Sequence, residues 1–176
     1  MSEAAKAFER SIKDAQELLE RFDDEKTSTS GRSPETLKRA GMVLAMASWE
    51  TYIKDRFREE FEIWLKAVEG SSIGRFVRKK ANEDLKRFFN PSSDKVKILF
   101  NTYFEIDITE EWKWDNYDVS QAKRALNALI SKRGDAAHQA NTSNNGPHIV
   151  KRAELERAIR FLKGLVIATD KVRIAK

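Results

Sequence analysis

Residues 43–68 read VLAMASWETYIKDRFREEFEIWLKAV, and the spacing of their apolar side chains decides the fold class. Steps of three, four or seven residues keep side chains on one face of an α-helix, and these steps separate Val43, Met46, Ile53, Phe57, Phe61, Trp64 and Val68. Ser33 is a suitable N-cap, Pro34 suits the first helical position, and Gly70 is a suitable stop. The pattern predicts a helix of about 36 residues, roughly 54 Å long, as the spine of a bundle.

The segments on both sides of this helix have the same periodicity. The sequence has only seven Gly and three Pro in 176 residues, which favours helices. Further helices are predicted from Phe8 to Phe22 (before the polar run 27–32), over 75–89, from a cap at Asp94 to Tyr103, from a capping box at Asp118 and Gln121 to Gln139, and from Leu155 to Thr169. Residues 104–118 are expected to form a packed loop, and 141–147 a break. We therefore predict an all-α antiparallel helical bundle of four main helices plus short extra helices, forming one domain over residues 1–176.

Composition excludes several classes of protein. The chain has no cysteine, which rules out thiolate zinc sites and disulfide scaffolds. Its two histidines, His138 and His148, match no usual metal-ligand spacing, so no metal and no cofactor are expected. No signal peptide and no run of eighteen apolar residues is present, so no membrane contact and a cytoplasmic location are expected.

Charge is distributed unevenly along the chain. Residues 75–104 sum to +5, 105–118 to −5 and 119–176 to +8. Such basic blocks attract RNA or DNA, although Lys and Arg also simply keep outward helix faces soluble. Within the first basic block, Arg75, Arg78, Lys79 and Lys80 are candidate RNA contacts, and the alternative is again a solvated helix face.

Two charged residues interrupt the apolar stripes. Arg133 follows Leu126 and Leu129 on the predicted buried face of the fifth helix, and Glu50 falls between Met46 and Ile53. One hypothesis is that Glu50 and Arg133 form an ion pair across the bundle or a pocket. The alternative is that Arg133 extends out to solvent and Glu50 lies at the edge of its stripe.

His138 lies five residues after Arg133. Asp135, three residues before His138, is placed to orient the imidazole. Arg133 and His138 are about 140° apart on an ideal helix, so sharing a pocket needs a long reach by Arg133, a distortion near Gly134, or a second subunit. A glycine within a helix also suggests close approach of another segment there.

The run Leu129-Ile-Ser-Lys-Arg133-Gly-Asp-Ala-Ala-His138 resembles the Arg-x4-6-His motif of HEPN domains. Residues 47–57 (ASWETYIKDRF) and the Asn90-Pro91 break are similar to the RiboL-PSP-HEPN-like group. The resemblance implies a metal-independent endoribonuclease of bacterial toxin–antitoxin or antiviral defence systems, in which Arg133 and His138 are catalytic. It also implies a homodimer whose two motifs line one cleft, and a possible cognate antitoxin protein as partner.

Known RNA chemistry suits these residues, since histidine transfers protons near neutral pH and arginine binds two phosphate oxygens at once. Asp135 and Glu50 are then expected to orient the site, and Lys132, beside the motif, to contact RNA. The alternative is a non-catalytic helical module that binds RNA or a partner protein, as in family members that have lost catalysis.

Overall fold

A computed structural model describes residues 1–27, 35–139 and 148–174. These residues form six α-helices and two short 3-10 helices; they contain no β-strand, only an isolated bridge between Trp114 and Tyr117. The α-helices are α1 (Glu3–Thr27), α2 (Glu35–Leu65), α3 (Ser72–Lys86), α4 (Ser93–Phe104), α5 (Val119–His138) and α6 (Arg152–Asp170). The prediction of an all-α helical bundle is confirmed.

Helix α2 is the spine of the bundle, with α1, α5 and α6 packed around it. The Ala4 amide at the start of α1 donates a hydrogen bond to Glu59 near the end of α2, so these helices are antiparallel. The Arg39 side chain near the start of α2 donates to the carbonyl of Ala136 near the end of α5, which makes this pair antiparallel as well. The amide of Val150, just before α6, donates to Glu35 at the start of α2, so the starts of α2 and α6 and the ends of α1 and α5 meet at one end of the bundle.

Three charged side chains of α2 are buried in the core, and each has a partner. Lys38 (2 % exposed) forms an ion pair with Glu35 at 3.0 Å and lies over the ring of Phe22. Arg56 forms an ion pair with Glu60 one turn further along the same helix. Pairing offsets the loss of hydration that an isolated buried charge would suffer.

The segment 104–118 is a packed loop, as the sequence predicts. It contains a 3-10 helix, Ile108–Glu111, and Trp112 is fully buried with its ring against Trp49 of α2. The indole nitrogen of Trp49 donates to the carbonyl of Pro91, so the same side chain also holds the segment before α4.

Several helix boundaries differ from the prediction. The spine helix ends at Leu65, because a 3-10 turn (Lys66–Val68) precedes Gly70, whose φ of +78° suits glycine. Helix α3 begins earlier than predicted, capped by Ser71, and α4 is capped by Ser92 rather than Asp94. In both cases a serine hydroxyl satisfies a free amide of the first helical turn.

The two C-terminal helices follow the sequence prediction closely. Both hydrogen bonds of the capping box between Asp118 and Gln121 are present at the start of α5. The predicted inward face of α6, from Leu155 to Thr169, is buried. The predicted cap at Ser33 and Pro34, and the break at 141–147, lie outside the described residues. No helix in the described ranges is both long and apolar enough to cross a membrane.

Candidate active site

Arg133 and His138 both lie in the last two turns of α5. Ala122, Leu126 and Ala136 attach this helix to the core, while Arg133 is half-buried and His138 is exposed. Neither side chain forms a hydrogen bond or ion pair with the part of the chain that the structure describes. Both are therefore free to bind a ligand.

Helix α5 continues without a break through Gly134. Arg133 and His138 therefore keep the separation of about 140° of an ideal helix, which removes a distorted backbone as the means of bringing them together. Ala137 and Gly134 lie between them, at about 40° and 100° from Arg133. Ala137 is exposed, and a Cβ added to Gly134 would meet nothing within 4 Å. The close approach predicted at Gly134 is thus absent among the described residues of this chain.

The predicted ion pair between Glu50 and Arg133 is not formed, and this hypothesis is wrong for the single chain. Glu50 binds the ammonium of Lys54 at 2.7 Å and accepts a hydrogen bond from the amide of Asn90 at 3.0 Å. Arg39 contacts Ala136, and α2 and α5 are antiparallel, so Glu50, eleven residues further along α2, lies beside about residue 125 of α5. Arg133 is therefore roughly 12 Å from Glu50 along the helix axis. Glu50 holds the segment before α4, and its distance from the motif results from the antiparallel register.

Asp135 does not hydrogen bond to His138 in the described structure, contrary to the predicted orienting role. Its Oδ1 accepts a hydrogen bond from the side-chain nitrogen of Gln139 at 2.7 Å. Gln139 follows Asp135 by four residues, a spacing that brings two side chains together on a helix as readily as the three-residue spacing to His138. The sequence alone did not decide between these two neighbours.

Sequence reasoning missed Arg39, which contacts the motif from another helix. Its Nε donates to the carbonyl oxygen of Ala136 at 2.9 Å, between the two motif residues in the chain. Its other guanidinium nitrogens form no hydrogen bond or ion pair with described residues. No local signal in the sequence reveals this contact, because the two residues are 97 positions apart.

A carboxylate–histidine contact lies one turn from Arg39. Glu35 binds Nδ1 of His148 and accepts the amide of Val150 at 3.1 Å, and it also pairs with Lys38. Burial alone would raise the pKa of Glu35, but the hydrogen bonds from Val150, Lys38 and His148 outweigh it and lower that pKa. Glu35 therefore stays ionised and ties the start of α2 to the segment that precedes α6.

The basic residues of α3 lie far from the motif. Arg78 forms two hydrogen bonds with Glu62 of α2, Lys80 pairs with Asp84, and Arg75 donates to a backbone carbonyl. Glu62 is 23 residues beyond Arg39 on the same helix, or roughly 35 Å along its axis. The structure therefore does not bring the predicted RNA contacts Arg75, Arg78, Lys79 and Lys80 together with Arg133 and His138.

The motif does not lie in the larger of two grooves on this bundle. Lys132, the predicted RNA contact next to Arg133, pairs with Glu154 of α6 at 3.2 Å. Both line a shallow cleft of about 250 Å³ between α5 and α6. A larger groove, about 830 Å³, lies among the end of α2, α3 and α4 and includes no motif residue. The side chains of Arg133 and His138, which have no partner among the described residues, mark the end of α5 as the candidate site, whereas groove size does not.

Within the described residues, no group of three or more His, Asp and Glu side chains is placed to hold a metal ion. The fold and the site define a helical bundle with an Arg-x4-His motif near the end of its fifth α-helix. The model of the RiboL-PSP-HEPN family matches residues 9–172, and the chain belongs to this family. Searches of curated proteins and of solved structures found no match.

Proposed function

We propose that the protein is a metal-independent endoribonuclease of HEPN type, with Arg133 and His138 as its catalytic residues. One observation carries the proposal: in a chain of this family, both side chains reach solvent from the end of one helix without a protein partner in the described structure. Structural arginines and histidines are usually held by a carboxylate or a carbonyl. Free ones at a family motif are therefore candidates for substrate contact.

The reaction needs no metal in this scheme. A base takes the proton from the 2′-hydroxyl, whose oxygen attacks the adjacent phosphorus, and an acid protonates the departing 5′-oxygen. The products are a 2′,3′-cyclic phosphate and a free 5′-hydroxyl. His138 transfers protons, and the guanidinium of Arg133 stabilises the negative charge that builds up on the phosphate.

The catalytic unit in this proposal is a homodimer. One chain supplies a single motif histidine, whereas the reaction needs both an acid and a base. The small side of α5 at Gly134 and Ala137, between the two motif residues, leaves room for the second copy. A two-fold axis there brings two His138 and two Arg133 side chains to one cleft.

The biological setting follows from the same proposal. A cytoplasmic RNA-cleaving protein of this family acts as the toxin of a bacterial toxin–antitoxin or antiviral defence system, and a cognate antitoxin protein restrains it. The whole chain acts as one HEPN domain, and buried side chains from α1 to α6 form one hydrophobic cluster.

A second function is a non-catalytic module that binds RNA or a partner protein. The observation that favours it is that no carboxylate among the described residues orients His138, since Asp135 is bonded to Gln139. A binding module does not need a fixed imidazole. The two functions differ in whether the purified protein cuts RNA.

The test is incubation of the purified protein with total RNA and with tRNA in EDTA. It is run beside His138→Ala, Arg133→Ala and the control Arg10→Ala, which removes an exposed arginine from α1. Cleavage by wild type and Arg10→Ala only, with 2′,3′-cyclic phosphate ends and unchanged circular dichroism, supports the nuclease. Loss of a general acid or base lowers the rate about 10²- to 10⁴-fold. No cleavage by the folded wild-type dimer supports the binding module instead.

The dimer is tested with Ala137→Arg. The new side chain adds bulk to an exposed position of α5 and adds positive charge, so lost cleavage would not arise from weaker attraction to RNA. We expect light scattering to report a monomer and cleavage to be lost. An active, strictly monomeric variant contradicts the shared cleft.

A further inference from the structure

We infer that Arg39 of α2 is a further cationic residue of this site, beside Arg133, and binds a phosphate of the RNA. The inference rests on the proposed RNA substrate, and it assigns a residue that lies outside the Arg-x4-His motif. It also makes α2, and not only α5, part of the substrate-binding surface.

The first observation is the fixed position of the Arg39 side chain. Its Nε donates to the carbonyl of Ala136 at 2.9 Å, and Ala136 is one of the last residues of α5. The final four carbonyls of a helix lack amide partners within that helix, so this contact satisfies one of them. The guanidinium is therefore anchored, along the axis of α5, within one helical turn of both motif residues.

The second observation is the unused part of the guanidinium. A guanidinium has five N–H donors in one plane. With Nε on the carbonyl, the four N–H groups of the two terminal nitrogens remain, and in the described structure they bind no protein group. A phosphate presents two oxygens with the spacing that such an edge binds in bidentate fashion.

The third observation is electrostatic. The end of a helix carries partial negative charge from its free carbonyls, which repels a phosphate. The motif lies at such an end, so catalysis there needs extra positive charge close to the carbonyls. Arg39 covers one carbonyl and brings a full positive charge to the same place.

Three other arginines that are buried or half-buried differ from Arg39. Arg56, Arg78 and Arg152 are each bound to at least one carboxylate, and so serve the fold. Arg39 is half-buried and yet has no carboxylate partner in the described residues. A merely structural arginine at this place would gain from a carboxylate partner.

The experiment measures binding to a 12-nucleotide single-stranded RNA with 2′-O-methyl groups, which lack the attacking hydroxyl and so are not cut. Fluorescence anisotropy at several salt concentrations gives the dissociation constant and its salt slope. The variants are Arg39→Ala, Arg39→Lys and the control Arg10→Ala. Cleavage of unmodified RNA and thermal unfolding are measured on the same samples.

We expect Arg39→Ala to weaken RNA binding about tenfold or more at low salt. The magnitude of the slope of log K against log salt should fall by about 0.7, which is the value for one lost phosphate contact to a single strand. Arg39→Lys should keep most of the slope, because it keeps the charge, and yet cleave more slowly, because an ammonium lacks the planar fork. Arg10→Ala should behave as wild type.

An unchanged slope in Arg39→Ala, with only a lower thermal midpoint, would mean that Arg39 merely caps α5, and would overturn the inference. The proposed nuclease fails separately. If RNA binding depends on Arg39 but unmodified RNA is not cut, only the proposal of a nuclease is overturned. If RNA is cut equally well with and without Arg39, only the inference about Arg39 is overturned. A wild-type protein that neither binds nor cuts RNA overturns both.

Discussion

Replacing Glu50 distinguishes the role of this residue in holding the fold from the site-orienting role that was predicted together with the family resemblance. Its carboxylate accepts a hydrogen bond from the Asn90 amide and pairs with Lys54, and its side chain is 22 % exposed. A hydrogen bond to a charged group contributes about 1.5–3 kcal/mol, here toward the lower end because of solvent access, and an i,i+4 pair contributes about 0.3–0.5 kcal/mol. Glu50→Ala should therefore lower the free energy of unfolding by about 2 kcal/mol.

At this chain length, about 2–4 °C of thermal midpoint corresponds to 1 kcal/mol, so Glu50→Ala should lower the midpoint by about 4–8 °C. Glu50→Gln is the matched control: it keeps an oxygen acceptor for Asn90, loses the ion pair, and should lower the midpoint by about 1–3 °C. Circular dichroism on heating measures both, and RNA cleavage well below the midpoint should match wild type. Cleavage reduced tenfold in Glu50→Ala at an unchanged midpoint would refute the fold-holding reasoning and return Glu50 to the site.

Three further predictions concern the ends and faces of the bundle. Glu35→Gln should lower the free energy of unfolding at pH 7, and the difference from wild type should shrink as the pH falls below about 4.5. The reason is that the lowered pKa of the Glu35 carboxyl stabilises the folded state above that pH, and acidification removes this stabilisation. Urea unfolding from pH 7 to pH 3 measures the difference. Gly134→Ala should raise the thermal midpoint by about 1–4 °C, because the added Cβ meets open space and Ala favours helix by about 0.5–1 kcal/mol; a lower midpoint for the isolated chain would contradict that space. Gly164→Ala should lower the thermal midpoint, because its Cβ would lie 2.6 Å from the indole nitrogen of Trp114, and the overpacking costs about 1–3 kcal/mol. The double variant Gly164→Ala with Trp114→Phe should lose less unfolding free energy than the sum of the two single losses.

The arrangement of the bundle explains why the candidate site lies where it does. Antiparallel packing places the start of α2 against the end of α5, and the contact between Arg39 and Ala136 joins them. Glu35 joins the start of α2 to Val150, just before α6. Three segments of the sequence thus meet at one end of the bundle, where the motif side chains have no partner among the described residues.

The sequence predicted that charged side chains enter the core, but not which ones are buried there. The apolar stripes on α2 and α5 were interpreted with Glu50 and Arg133, respectively, as the charges that enter the core, yet both are only half-buried. The buried pair is Arg56 and Glu60, four residues apart on α2. Their i,i+4 spacing was visible in the sequence beside the buried Phe57, and it indicates an ion pair because side chains four residues apart meet on one helix.

The motif itself was recognisable in the sequence, but its partners were not. The spacing of Arg133 and His138 fixed their separation around the helix, and the family match over residues 9–172 confirmed the resemblance. Asp135 had two local neighbours within reach, and in the structure it is bonded to Gln139. A choice between two local partners depends on side-chain rotamers, which periodicity does not contain.

The sequence by itself determined the helices, the all-α class, the capping box at Asp118, the packed loop and the family. These features depend on residues within a few positions of one another, so local periodicity and capping chemistry suffice to predict them. Only the tertiary structure decided that Arg39 reaches the end of α5, that Glu50 holds Asn90, and that the basic face of α3 lies roughly 35 Å from the motif. Those contacts depend on the direction and axial register in which distant helices pack, and packing register is a property of the whole core rather than of any one segment.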